Sequence, residues 1–303
     1  MEKQITHQVG VIGQGFVGGS LSNGLAIKAD NIGKSNLINI RTYDKFSDEK
    51  STDTLEDLVN FSSIIFVCVP TPMKKTGQCD TSIVESVLSD INLCLDSHDE
   101  KVVVIKSTIP PGSTDDLNIT YGRKNLTIVF NPEFLTEANA LNDFIGQDRI
   151  ILGGEPKAIE KVSDMFLEFF DCNIVKTDSK NAELVKYVTN CFLSCKLSFF
   201  NEIYQIADGL GIDYEELINN VTLDKRINIA HTKIPGPDGS FGWGGHCFPK
   251  DVNALIFSSD QNSIDTTMLR ATWEKNLIVR QPEFRDWENM PGRAISIEGD
   301  END

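Results

Sequence analysis

The stretch Phe241-Gly242-Trp243-Gly244-Gly245-His246-Cys247-Phe248-Pro249-Lys250-Asp251 sets a thiol, a cation and a carboxylate beside a run of glycines. Glycines ahead of a cysteine let the backbone take unusual dihedrals and approach a ligand closely. A cation nearby favours the thiolate, the form in which cysteine attacks carbon. Spacing alone leaves two readings: Cys247 is a nucleophile, or a small buried residue in a glycine-rich turn. Lys186 and Asn190, four residues apart, share one face of any helix that contains them. On a helix otherwise apolar, that pair reads as the wall of a polar cavity, with a lysine snorkelling to solvent as the alternative. Glu133 and Glu137 repeat the spacing just after a strand, either as a general base beside a crevice or as a solvated acidic face.

A second constellation lies near the start. Val11-Ile12-Gly13-Gln14-Gly15-Phe16-Val17-Gly18 follows an apolar run and opens a helical one. Gly13 permits the tight turn, Gly15 lets backbone approach a pyrophosphate, and Gly18 allows close helix–strand packing. Phe16 and Val17 then supply the first N–H groups of the helix, whose positive end faces the diphosphate. Asp44 stands 26 residues beyond Gly18, at the end of the second strand. A carboxylate there accepts from ribose hydroxyls and repels a 2′-phosphate, which favours NAD over NADP; Lys45 beside it weakens that preference slightly. Two further loops, one with Thr71 in Val69-Pro70-Thr71-Pro72 and one spanning Lys106–Gly112 with Thr108, end later strands. Ligands of wound sheets bind at those ends.

The elements that must position these residues are legible as a rhythm. Strand-like runs at Gln8–Ile12, Ile38–Tyr43, Ser63–Val69, Val102–Lys106, Thr127–Phe130, Arg149–Leu152 and Asn173–Val175 alternate with helical patterns at Phe16–Ala26, Ser82–Leu95 and Pro156–Phe170. The expected fold is α/β: a doubly wound, mostly parallel, Rossmann-like sheet, then an all-helical domain with one long central helix. The boundary is placed so that residues 1–178 form the dinucleotide-binding domain and residues 179–303 the helical substrate and dimerisation domain carrying Cys247. Ser179–Asp208 holds no proline or glycine and is apolar almost all round, as a largely buried helix would be. Gly209 and Gly211 end it, and Asp213 with Glu216 reads as the capped start of the next. Another helix is expected from Val252, after a Pro/Gly-rich loop at Pro235–Gly245, and a last one at Ala271–Arg280.

Composition bounds the rest. The chain has 303 residues, 40% hydrophobic and 24% charged, with 45 acidic against 28 basic residues and a net charge of −17. That balance disfavours nucleic acid and anionic membrane surfaces as partners. Seven cysteines (Cys68, Cys79, Cys94, Cys172, Cys191, Cys195 and Cys247) form no Cys-x-x-Cys pair, and the four histidines have no ligand spacing, so no metal is expected. Apolar runs such as Ile64–Val69 are too short to span a bilayer. Met1–Gln4 has no basic, then apolar, leader, which sets the cytoplasm as the expected location, and Glu298–Asp303 reads as a frayed acidic end.

Taken together, four stretches resemble the nucleotide-sugar 6-dehydrogenase family. They are Lys106–Gly112; Asn131-Pro132-Glu133-Phe134-Leu135-Thr136-Glu137; Glu183-Leu184-Val185-Lys186-Tyr187-Val188-Thr189-Asn190; and Gly242–Asp251. With the glycine loop, the resemblance runs from about Val9 to about Arg280. It implies NAD as cofactor, a nucleotide sugar as substrate, and oxidation of the sugar's C6 alcohol to a carboxylate through a thiohemiacetal and a thioester on Cys247. It further implies that Lys186 and Asn190 stabilise oxyanions, that Asp251 positions water or Lys186, and that Glu137 or Glu133 acts as base for thioester hydrolysis. Thr108 would anchor water or the nicotinamide, Lys250 would lie by the cofactor, Phe134, Leu135 and Gly244 by the sugar, and Arg226 by a phosphate. The family pattern carries serine where His246 stands. Histidine occurs in the branch acting on UDP-N-acetylated amino sugars, but that branch lacks Phe-Pro-Lys-Asp, so UDP-glucose is the favoured substrate. UDP-N-acetylhexosamine, GDP-mannose and a noncatalytic NAD-binding role are the alternatives. Full-length relatives carry a third, C-terminal domain that grips the nucleotide, whereas 23 residues follow Arg280 here. A homodimer seamed by the long helix is expected.

Overall fold

A computed structural model describes residues 6–95 and 100–297. The expectations for Met1–Gln4 and Glu298–Asp303 fall outside those residues. The order is β1 (His7–Ile12), α1 (Phe16–Asn31), β2 (Ile38–Tyr43), α2 (Leu55–Phe61), β3 (Ile64–Val67), α3 (Ser82–Cys94), β4 (Lys101–Ile105), α4 (Ser113–Tyr121), β5 (Leu126–Phe130), α5 (Ala140–Ile145), β6 (Arg149–Gly153), α6 (Pro156–Phe169) and β7 (Asn173–Thr177). Then come α7 (Ser179–Leu210), α8 (Tyr214–Val221), α9 (Cys247–Gln261) and α10 (Thr267–Val279).

The seven strands form one sheet in the order β2-β1-β3-β4-β5-β6-β7. Inner strands bury both faces, so their sequences run apolar without alternation. In β3, Ile64 and Phe66 join the core formed with Leu21, Leu25 and Phe166, while Ile65 and Val67 join the opposite core with Leu58, Leu88 and Leu117. Every neighbouring pair is parallel except β5–β6, which meet antiparallel at Phe130 and Gly153. The wound α/β fold stands as expected. The reversal at β6 and the short helices α2, α4 and α5 were not legible in the pattern.

Contacts divide the chain into two compact units, Met1–Thr71 with Thr81–Lys186, and Pro72–Asp80 with Tyr187–Asp303. The division thus falls inside α7, eight residues beyond the expected boundary at 178. The second unit also recruits a nine-residue excursion from between β3 and α3. Within that unit, Met73 N–H donates to the Ala294 carbonyl at 2.8 Å and Ser296 N–H to the Met73 carbonyl at 2.9 Å. Ser296 Oγ donates to Asp80 Oδ2 at 2.9 Å. A tail beyond α10 therefore closes on the excursion.

Two helix expectations need correction. α7 runs through Gly209 to Leu210 and ends at Gly211, whose φ of +69° suits a residue without Cβ. It is not buried all round either: Val188, Phe192, Phe199, Ile206 and Leu210 are exposed. α9 begins at Cys247, five residues before the expected Val252. Pro249 sits in its first turn, where proline costs no hydrogen bond because those N–H groups have no helical partner. The capped start of α8 is present, Glu216 N–H donating to Asp213 Oδ1 at 2.7 Å.

Candidate active site

The first unit holds the glycine loop between β1 and α1. Gly13 has φ +87°, and a Cβ there would lie 2.7 Å from the Cys68 carbonyl oxygen. A Cβ on Gly18 would overlap the Gly13 carbonyl oxygen. Around Gly15 nothing lies within 4 Å of a Cβ position, so the backbone is open to a ligand. Phe16 and Val17 open α1. Asp44 follows the last residue of β2; its Oδ2 accepts Gln14 N–H at 2.7 Å and its Oδ1 accepts Phe46 N–H at 3.0 Å. The carboxylate is thereby fixed beside the loop. A tight turn, an open glycine, a helix start and a held carboxylate fit NAD's pyrophosphate and ribose. Thr71 and Thr108 are buried, and Thr71 Oγ1 donates to the Thr108 carbonyl at 2.7 Å.

The same unit gathers a buried charged cluster. Lys186 Nζ lies 2.8 Å from Glu133 Oε1 and 2.7 Å from the Glu133 carbonyl oxygen. Their side chains are 5% and 6% exposed. Burial works to raise the Glu133 pKa, but the Lys186 charge and hydrogen bond, with Leu135 N–H, hold it below the ordinary carboxylate value. Lys106 Nζ donates to Asn131 Oδ1 at 2.9 Å. Burial pulls the Lys106 amine down to about 8, opposed by Cys68 and Glu133 and aided by Lys186. The Phe134 ring lies 5.8 Å from Lys186 Nζ and 4.8 Å from the Arg149 guanidinium, and Leu135 packs on the core. Glu183, fully buried one turn before Lys186, accepts from Gly112 N–H at 2.5 Å, Thr114 N–H at 2.7 Å and Thr114 Oγ1 at 2.6 Å. It ties the Lys106–Gly112 loop to α7.

The second unit holds the thiol. Cys247 is half-buried at the first position of α9, with His246 as its N-cap. A helix N-terminus stabilises a thiolate. One turn on, Lys250 Nζ lies 2.5 Å from Asp251 Oδ1, and Asn190 Nδ2 donates to Asp251 Oδ2 at 2.5 Å. Asp251 is 1% exposed. Burial disfavours the Lys250 ammonium, but Asp251, Cys247 and Cys79 outweigh it and raise its pKa. Lys250 is thus a permanent cation within electrostatic reach of the thiol.

The loop leading to Cys247 is held by side chains. Gly242 N–H donates to Asn201 Oδ1 at 2.8 Å, and Trp243 N–H to Asn276 Oδ1 at 2.8 Å. Gly245 N–H donates to Asp286, 3.0 Å from Oδ2. A Cβ on Gly244 would meet Asp286 Oδ1 and Arg280 Nη2, so those two side chains would have to shift to admit one.

Of the expected site residues, Lys186, Glu133 and Phe134 come together in the first unit, and Asn190, Asp251, Lys250 and Cys247 in the second. Lys250, expected by the cofactor, has Asp251 as its ion-pair partner, and Asp251, expected to position water or Lys186, holds Lys250 and Asn190. Glu137 is exposed in a short 3-10 turn. Arg226, expected to hold a phosphate, has a side chain 88% exposed and clamped on Asp224. Lys106, Asn131, Glu183, Asn201, Asn276 and Asp286 carry structure that sequence reasoning did not assign. Polar residues on otherwise apolar helix faces, such as Asn201, were the available signal. Among the described residues no group of side chains could hold a metal ion, and no helix is long and apolar enough to cross a membrane.

Residues 35–170 match the NAD-binding domain of the UDP-glucose/GDP-mannose dehydrogenase family, and residues 180–277 match its central domain. A UDP-glucose 6-dehydrogenase of Rickettsia bellii is 35% identical over 255 residues, covering 80% of this chain and 57% of the relative. A GDP-mannose 6-dehydrogenase of Pseudomonas syringae pv. tomato is 29% identical over 260 residues, covering 82% and 58%. The chain therefore spans little more than half the length of these curated relatives. The structure of a UDP-glucose dehydrogenase from Pyrobaculum islandicum superposes with a TM-score of 0.79 at 27% identity, covering 91% of this chain and 69% of that one. Two domains of one family, matched in order, leave one assignment: the chain belongs to the UDP-glucose/GDP-mannose dehydrogenase family and carries its NAD-binding domain.

Proposed function

We propose that the chain oxidises the C6 alcohol of UDP-glucose to the carboxylate in two steps, with Cys247 as covalent nucleophile. The observation that carries this reading is the position of Cys247 at the head of α9, one turn from a buried Lys250 that is ion-paired with Asp251. A two-electron alcohol dehydrogenase needs no such thiol, whereas an aldehyde must become tetrahedral before it yields a second hydride. The Rickettsia bellii relative's name supports UDP-glucose. The GDP-mannose relative keeps that sugar as the second reading, and His246 keeps UDP-N-acetylhexosamines as a third.

The Gly13–Gly18 loop and Asp44 would hold NAD, and two NAD molecules bound in succession would each take one hydride from a sugar. Cys247 sulfur bonds to C6 of the aldehyde, and the carbonyl oxygen takes the negative charge. Lys186 and Asn190, one turn apart on α7, stabilise that oxyanion. Glu133 keeps the Lys186 ammonium in place. After the second oxidation, water adds to the thioester, Glu137 takes its proton, the C–S bond breaks, and Cys247 departs as thiolate. Thr108 anchors the water, and Phe134 and Leu135 pack by the sugar.

The test is stoichiometric: two NADH and one UDP-glucuronate per UDP-glucose are expected. One NADH with release of the aldehyde would remove the covalent step, and turnover of GDP-mannose or an acetamido sugar alone would replace the substrate. We further assign the exposed stripe Val188, Phe192, Phe199, Ile206 and Leu210 to a homodimer seam. Phe199→Glu should then sediment as a monomer; no dimer in the unsubstituted protein would dispose of the seam.

A further inference from the structure

We infer that Asp286 is a positioning residue for Cys247: its carboxylate, bonded to Gly245 N–H and to Arg280, fixes the turn that delivers the thiol to the head of α9. This rests on the covalent role proposed above for Cys247.

Asp286 lies beyond the matched central domain, which ends at residue 277. Residues 282–289 nevertheless fold back onto the glycine run. Both carboxylate oxygens of Asp286 lie within hydrogen-bond distance of Gly245 N, at 3.2 and 3.0 Å. Arg280, 4% exposed in its side chain, donates from Nη2 to Asp238 Oδ2 at 2.8 Å and reaches Asp286 Oδ1 at 3.4 Å. Its Nε donates to the Phe284 carbonyl at 2.7 Å. A Cβ on Gly244 would come within 2.6 Å of Arg280 Nη2, so the guanidinium lies against the loop. Beside it, Trp287 is buried against Trp273, which in turn packs on Trp243, at centroid separations of 5.7 Å in both pairs. The segment is thus seated on both sides of its carboxylate.

The three anchored N–H groups define what Asp286 does. Asn201 and Asn276 hold the entry of the loop at Gly242 and Trp243. Asp286 holds its exit, two residues before the nucleophile, where Gly245 takes φ +73°. Without that acceptor, the turn loses a contact that helps keep Cys247 in register with the first turn of α9 and with Lys250. A misplacement of about 1 Å at a reacting atom is enough to cost up to a hundredfold in rate.

The experiment compares Asp286→Ala and Asp286→Asn with the unsubstituted full chain. Iodoacetamide alkylation of Cys247, followed by peptide mass spectrometry from pH 5 to 10, reads the thiol without any sugar. Asp286→Ala should shift the alkylation midpoint upward by at least about half a pH unit, as the thiolate leaves the helix terminus and Lys250. It should also lower kcat about tenfold or more with little change in KM. Asp286→Asn keeps an oxygen for Gly245 N–H and should restore most of both. An alkylation profile unmoved in Asp286→Ala overturns the inference, and does so equally if the melting temperature falls, because that pattern belongs to a structural brace. A shifted profile in a protein that releases no uronate sustains the role of Asp286 while the assigned reaction falls.

Discussion

The glycine loop and the Cys247 loop are built from different materials. At the glycine loop the working surface is backbone: a turn at Gly13, an open Gly15, and the first N–H groups of α1. Around Cys247 it is a mesh of side chains, with Lys250, Asp251 and Asn190 on one side and Asn201, Asn276 and Asp286 on the other. Backbone sites fail when a side chain is added. Side-chain meshes fail when a charge or an amide is taken away. The difference predicts opposite responses to substitution.

The sharpest break is at the sulfur. Cys247→Ser should lower uronate release by at least about a thousandfold while NAD affinity, measured by fluorescence titration, stays unchanged. Near-normal release would end covalent catalysis. Next, Asp251→Ala strands Lys250 as a buried cation and should destabilise the protein by roughly 3–5 kcal/mol in urea denaturation. A loss under about 1 kcal/mol would mean that the mesh is solvated after all. In the other unit, Gly18→Ala places a methyl on the Gly13 carbonyl and should cost about tenfold or more in NAD affinity. It should leave the rate of Cys247 alkylation alone; a change in both would show that the two halves do not respond separately.

The most gradual effect, spread over two pH units, concerns Lys106. Its folded value of about 8 lies below the ordinary 10.5, with burial as the main cause. Between those values the unfolded chain binds a proton that the folded protein does not, so stability rises as pH increases. Relative to Lys106→Met, the unsubstituted protein should gain on the order of 1–3 kcal/mol from pH 8 to 10. A flat difference would place the amine in contact with water.

How far the sequence could be read follows the same division. The backbone half was legible because glycine spacing, strand and helix start are all local: β2 appears at the expected Ile38–Tyr43, and α1 opens at Phe16. The side-chain half was legible only where residues sit within a few positions of one another, as in Lys250 with Asp251. Asp286 is 41 residues from the Gly245 it holds, and no periodicity reports such a pairing. The start of α9 was missed because Pro249 reads as a breaker, although the first turn tolerates it. The exposed stripe of α7 was missed for another reason: an apolar face turned outward has the same composition as one turned inward. The antiparallel turn of β6 left no trace, since its residues are buried as those of a parallel strand are.

The excursion at residues 72–80 has a consequence for how the chain is made. A ribosome releases that segment more than a hundred residues before Ala294 and Ser296, the groups that close on Met73 and Asp80. The nonapeptide must therefore wait, tethered to an already folding sheet, for its neighbours to be synthesised. A gene cut at codon 186 would consequently yield one fragment with a dangling loop and another lacking part of its wall, and the two halves should regain native structure only when combined.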